Sequence, residues 1–255
     1  MSATSVLPEH VKTEMVQSGT WSDSSPVPIS RLSLITVPYV DFESNIHDDG
    51  QLVTLDVVAE HAASAFNDLF KLGFPIDKIR PIHHYGGDDD LSMADNNSSC
   101  YCCRPILGSS VLSVHAYGAA IDVNPLQNPY IVFDEETGQA SFHPKASWRF
   151  ANRYNPQKGM VESIVDVFAV HGFYVWGGRW TSPIDYHHFQ IPRGLAELLV
   201  AIAPDHGKQI FDSLVSKQQR FSTVPMGEKL KPLLELYREN SKEFFTTWNG
   251  MVSGS

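Results

Sequence analysis

The apolar positions of the chain change period several times, and each change predicts an element. RLSLITVPYV, ending at Val40, is dense in β-branched and apolar residues and predicts a strand. Pro38 lacks an amide proton, which places that strand near an edge or an end. From Val53 to Leu72 the spacing becomes helical: Val57, Val58, Ala62, Ala65, Phe66, Leu69 and Phe70 recur three or four apart, and Gly73 is a natural stop. KIRPIHHY reads as extended, and the polar, turn-rich GGDDDLSMADNNSS as a surface loop. VLSVHAYGAAIDVNP reads as a loop entering a short strand, with Ile121 and Val123 flanking Asp122. Met160 to Val170 is apolar at helical spacing and ends before Gly172. FYVWGG predicts a strand with a glycine break, and DYHHFQI another short strand. After Pro192 the helical period returns in GLAELLVAIA, GKQIFDSLVSKQQRF and EKLKPLLELYRENSKEFFTTW.

Strands and helices do not alternate regularly enough for a doubly wound parallel sheet. The pattern predicts an α+β fold, with helices packed on a mostly antiparallel sheet. Residues 1–28 are rich in Ser, Thr and Pro without a clear period and are expected to be a loose N-terminal segment; 29–192 form the main domain, and 193–255 a C-terminal helical extension. There is no internal repeat.

The formal net charge of −10 argues against nucleic acid as a partner, because phosphate binding needs a concentrated basic face. No stretch approaches the ~20 apolar residues of a membrane span. MSATSVLPEHVKTEMVQSGTW lacks the basic start and apolar run of a secretory signal, so the chain is expected to be cytoplasmic as synthesised. Cys100, Cys102 and Cys103 crowd into CYCC with no second ligand pair, and are read as reduced, partly buried side chains. The acidic GGDDD run does not match the spacing of a calcium loop and is read as solvated.

Two of the histidine-containing segments pair imidazole with carboxylate. In SVHAYGAAID, Gly118 and the small Ala119 and Ala120 allow a tight fold that brings His115 and Asp122 together. In WGGRWTSPIDYHHFQ, Asp185 and His188 sit three apart after a Trp-Gly-Gly bend. Together they offer two imidazoles, one metal-binding carboxylate and one spare carboxylate. A catalytic zinc takes three such ligands and keeps a fourth position for water, whose pKa falls to about 7. The spare carboxylate then serves as proton acceptor, an inventory that suits amide hydrolysis. Trp176, Trp180 and Tyr117 either line a substrate groove or pack the core beside it.

SVHAYGAAID and WGGRW followed by DYHHF resemble the two signatures of the zinc D-alanyl-D-alanine carboxypeptidases and dipeptidases, closest to the VanY-type carboxypeptidases and L-alanyl-D-glutamate endopeptidases, phage endolysins among them. The likeness runs from Arg31 to Ile191, with landmarks at GFPI, YGGDD, Arg104 and DVNPLQNPY. It implies a hedgehog/D,D-peptidase-like zinc peptidase domain over 29–192. It implies one zinc per chain on His115, Asp122 and His188, with Asp185 as catalytic base and Arg104 stabilising the oxyanion. It also implies Ser113 against the substrate, with Tyr117 and Trp176 as further substrate contacts. The implied function is cleavage of peptidoglycan stem peptides, at the cell wall or periplasm after export, lysis or delivery. The alternative is a non-catalytic zinc-containing binding module of the same fold. The chain departs from the family in three ways. Asp185 is shorter than the glutamate often found there, CYCCR replaces the usual surroundings of the arginine, and His187 adds an imidazole that strand alternation turns away from His188. Glu162 is a weak second candidate for the base, and Arg179 a second candidate for the arginine.

Overall fold

The computed structural model describes residues 2–218 and 230–253. In chain order its regular elements are β1 (Ala3–Val6), α1 (Glu9–Gln17), β2 (Leu32–Val40), β3 (Ile46–Leu55), α2 (Ala59–Lys71), β4 (Lys78–Ile79), α3 (Asp89–Ala94) and β5 (Asn97–Ser98). They continue as β6 (Ala120–Asp122), β7 (Tyr130–Phe133), β8 (Ala140–His143), α4 (Val165–Val170), β9 (Val175–Trp176), β10 (Ile184–Asp185) and β11 (His188–Gln190). Four helices close the chain: α5 (Arg193–Ala201), α6 (Pro204–Ser216), α7 (Lys231–Glu239) and α8 (Ser241–Ser253). The fold is α+β. Three small antiparallel sheets have the orders β1-β2-β3, β10-β7-β8 and β6-β11-β9, and β4 pairs with β5 in parallel.

β2 forms as its composition predicts, and Pro38 sits where the register with β3 slips between Val37 and Tyr39. Five local expectations change. The N-terminal segment is not loose: β1 adds to the β2 edge, and Leu7, Val11, Met15 and Val27 enter the core. The helix expected from Val53 begins at Ala59, because Val53, Thr54 and Leu55 complete β3 opposite β2. KIRPIHHY is extended only at Lys78–Ile79 and turns into a 3-10 helix at Ile82–Tyr85. The acidic loop contains α3, whose first turn is capped by the Asp88 carboxylate accepting from Leu91 N at 2.9 Å. The last predicted helix is broken at Asn240 into α7 and α8, and the ends of two predicted C-terminal helical stretches, Gln219–Phe221 and Glu228–Lys229, lie outside the described residues.

An aromatic column runs from α2 to the strand that carries the site. Phe66 meets Phe168 of α4 edge-on at 6.0 Å, and Phe168 stacks on Phe189 of β11 at 4.2 Å. Strand alternation then turns His188 and Gln190, on either side of Phe189, to the opposite face. Burying such rings is worth roughly 1.5–3 kcal/mol each, so β11 is fixed by its core face while its other face is left for chemistry.

Arg31 ties the C-terminal helices to this body. Its guanidinium pairs with both Asp56 oxygens at 2.6 and 3.0 Å and donates to the carbonyls of Leu199, Val200 and Ile202, each at 3.0 Å. These carbonyls belong to the end of α5, where intrahelical donors run out. Arg31→Met keeps the stem but removes every one of these bonds and leaves the Asp56 carboxylate with the Val57 amide alone. The expected loss is about 3 kcal/mol, the lower end for breaking a buried pair because Asp56 is partly exposed. Thermal unfolding followed by circular dichroism should show a midpoint lower by on the order of 10 °C.

Candidate active site

His115 lies on a 3-10 turn, Val114–Tyr117, whose first residue is capped by Ser113 Oγ accepting from His115 N at 3.3 Å. The turn ends at Gly118 with φ +63°, where a Cβ would meet Leu55 N at 2.6 Å; Leu55 N instead donates to Gly118 O at 2.9 Å. No side chain fits that contact, so glycine is required for the turn to dock on the end of β3. Four residues later, Asp122 stands directly opposite His188 in the β6–β11 register. The Trp-Gly-Gly bend works similarly: a Cβ on Gly177 would meet Asp185 O at 2.5 Å, so glycine lets the bend close over β10.

The three predicted ligands converge, and all three are buried. His115 Nε2 is 3.1 Å from Asp122 Oδ2, His188 Nδ1 is 3.1 Å from Asp122 Oδ1, and the two imidazole nitrogens are 3.1 Å apart. The tautomers follow from the outer partners. His115 Nδ1 faces the Cys100 carbonyl at 2.6 Å and must donate to it; His188 Nε2 donates to Gln190 Oε1 at 2.7 Å. In the neutral rings the remaining nitrogens therefore present lone pairs to one another and to a carboxylate. Acceptors so placed repel unless a cation lies among them, and two imidazoles, each braced from behind, with one carboxylate are the donor set of a catalytic zinc. Without an ion, burial alone would raise the Asp122 carboxyl and lower His115. Their mutual charge and hydrogen bonding outweigh burial, holding Asp122 well below the carboxylate range and His115 above the usual imidazole value.

Asp185 is the fourth predicted residue of this centre. It is buried, its Oδ1 has no hydrogen-bond partner among the described residues, and burial pushes its carboxyl up despite the neighbouring histidines. His187 does not point away, as alternation had suggested. It precedes β11, at the turn, where pleat alternation does not apply. Its Nδ1 donates to Asn128 O at 2.7 Å, and its Nε2 is turned inward, 3.0 Å from Asp185 Oδ1, out of line for a hydrogen bond, and 3.8 Å from Asp122 Oδ2.

His115, Asp185, His187 and His188 line a cleft of about 330 Å³. Arg104 and Ser113 line it, as does Trp180, whose ring is 5.4 Å from that of His188. Tyr117 and Trp176 do not line it. Tyr117 packs against the core, while Trp176 lies nearly parallel to Phe189 with centroids 6.4 Å apart and donates through Nε1 to Tyr186 O at 2.8 Å. The glycine bend puts Trp176 on its core side and Trp180 on its cleft side. Among the lining residues not singled out from the sequence are Asp89, Tyr130, Gln190 and Arg193. Asp89, from the acidic run read as solvated, pairs through Oδ2 with Arg104 Nη2 at 2.5 Å. Tyr130 stands opposite Asp185 in the β7–β10 register, within the DVNPLQNPY landmark. The three cysteines are free: Cys100 and Cys102 are buried, which pushes their thiols up, and Cys103 is half-buried. Cys100 serves the site through its backbone carbonyl.

One family model is similar to the part of the chain that carries this geometry. Residues 107–191 match the family model of the D-alanyl-D-alanine carboxypeptidases. The match covers a third of the chain, contains Asp185 and the three residues that could hold a metal, and bears out the resemblance read from the two motifs. The matched segment begins after Arg104, so Arg104 and Asp89 stand on geometry. No curated protein and no solved structure matches the chain.

Proposed function

We propose that the chain is a zinc-dependent peptidase that hydrolyses peptidoglycan stem peptides. The reading rests on one observation: three buried, convergent ligand atoms, the two imidazoles held by outer partners, beside a buried carboxylate whose Oδ1 accepts no hydrogen bond. The family match supports this substrate class. Zinc, when bound, supplies a Lewis acid and lowers the pKa of water toward about 7. Asp185 accepts a proton at its free oxygen and returns it to the leaving amine, its raised affinity for protons suiting both transfers. Arg104, held by Asp89, donates to the oxygen that becomes negative as the carbonyl is attacked. Trp180 walls the cleft next to His188 and limits access of bulk water. The natural place of action is the cell wall, reached by export, lysis or delivery.

The test has two readouts on the purified protein. Metal analysis should give about one zinc per chain, since the described residues hold one such ligand group. Mass spectrometry of muropeptides incubated with the zinc-loaded protein should identify the bond cut. Zinc without hydrolysis would favour a non-catalytic module; absence of zinc would refute the centre itself.

Arg104→Lys checks the oxyanion role. An ammonium keeps the charge but not the planar fork that reaches both Asp89 and the cleft. The expected result is a fall in kcat of on the order of a hundredfold with KM little changed. A rise in KM instead would mean that Arg104 clamps a ground-state carboxylate. Near-normal kinetics would move attention to Arg179, although that residue is exposed and does not line the cleft.

A further inference from the structure

The cleft contains two guanidinium groups with different surroundings. Arg104 faces a carboxylate, Asp89, at 2.5 Å, so its charge is balanced within the protein. Arg193 donates through Nη1 to Leu112 O at 2.7 Å, a neutral acceptor that orients the fork without neutralising it. The position is also unfavourable for a cation. Arg193 is the first residue of α5, next to the positive end of that helix, and no acidic residue stands in the helix's first turn. A side chain held against the helix field, tied to the backbone beside the site and directed into the cleft, is placed for an anion that arrives from outside.

Its location narrows what the anion is. Leu112, which holds Arg193, immediately precedes Ser113. The Ser113 hydroxyl oxygen accepts from His115 N at 3.3 Å, and Ser113 N donates to Arg104 O at 3.0 Å. The Arg193 fork is thereby tethered three residues from a metal-binding histidine, on the segment that also carries Ser113. A planar fork matches a carboxylate, which it binds through paired N–H donors.

We infer that Arg193 is the residue that recognises a carboxylate of the substrate, leaving Arg104 free for the transition state; this rests on the peptidase reading above. The shared chemistry has two sources in a stem peptide, the C-terminal α-carboxylate and the free carboxylate of a glutamyl residue. The first makes the chain a carboxypeptidase and the second directs it to a bond beside the glutamyl residue.

The experiment uses the wild-type zinc-loaded protein and three synthetic pentapeptides of stem-peptide sequence: the parent, one amidated at its C-terminus and one amidated at its glutamyl carboxylate. Calorimetric Kd and steady-state kinetics are measured for each. One amidation should weaken binding and raise KM by ~10- to 100-fold, as expected for loss of a charge-assisted hydrogen-bonded pair, with kcat nearly unchanged; which one does so identifies the source. Arg193→Met should abolish that discrimination, raising KM for the parent to the level of the amidated peptide. Arg193→Lys should restore it in part. Equal binding of all three peptides by the wild type, or no binding of any, overturns the inference without use of a variant. Discrimination that survives in Arg193→Met also overturns it and returns the carboxylate to Arg104. The peptidase reading fails separately: discrimination in Kd with no hydrolysis of any peptide leaves Arg193 as a carboxylate receptor in a chain that is not a peptidase.

Discussion

His115→Ala and His188→Ala should each yield a folded protein that no longer retains stoichiometric zinc and hydrolyses stem peptides at background. Each removes one of three ligands from a buried centre in which the other two are fixed by separate elements, the 3-10 turn and β6 for His188→Ala, β6 and β11 for His115→Ala. Neither backbone can move to supply a replacement. Gly118 is locked against Leu55, and β11 is clamped by Phe189 on the aromatic column. The loss should exceed the ~10- to 100-fold in metal affinity caused by removing an outer partner alone. Gln190→Ala supplies that comparison, because it frees His188 Nε2 while leaving Nδ1 in place. Metal analysis after dialysis separates the cases, and near-ultraviolet circular dichroism controls for folding, since His115→Ala also strands the Cys100 carbonyl. Stoichiometric zinc in either ligand variant would sink the ligand assignment.

The convergence of His115, Asp122 and His188 was legible in the sequence because the constraint that joins them is short-ranged. His115 and Asp122 are joined by one glycine turn, and Asp185 and His188 by one short connection, so spacing and residue type carry most of the geometry. β2 and the helices after Pro192 were legible for the same reason, each having a local period. What was missed depends on partners far along the chain. Ala3–Val6 is fully exposed and has no apolar face of its own; it becomes a strand because β2 offers a free edge. The first half of β3, IHDDGQ, is mostly polar and exposed, which hid the strand and let its apolar end pass for the start of α2. Asp89 looked like one acid among several until α3 placed it against Arg104, fifteen residues on. The exchange of Trp176 for Trp180 in the cleft turns on the path of two glycines, which residue type alone does not reveal. His187 shows the limit of a pleat argument: alternation holds within β11, and His187 lies one residue before it.

Asp185→Asn should separate chemistry from structure more sharply than any of the other substitutions. Asparagine is nearly isosteric and keeps a carbonyl oxygen, but it cannot accept the proton. Turnover should fall ~10²- to 10⁴-fold, the range for loss of a general acid–base group, while zinc content stays at the wild-type level. Glu162 does not replace it: Arg153 holds both of its oxygens, at 2.5 and 2.6 Å, and it does not line the cleft. The stability of the metal-free protein should move the other way. Burial raises the folded-state pKa of Asp185, with Asp122 adding to it and the histidines opposing. The folded protein therefore binds this proton more tightly than the unfolded chain. Its contribution is fully present below the unfolded pKa and is lost as pH rises through the folded one, so toward higher pH the buried carboxyl becomes a liability. The neutral amide of the Asp185→Asn variant removes that liability. Chelator-treated Asp185→Asn should unfold at or above the wild-type temperature at pH 7, and the difference should shrink as pH is lowered toward the carboxylate range. Loss of zinc would recast Asp185 as a ligand, and activity within a few-fold of wild type would show that another group takes the proton.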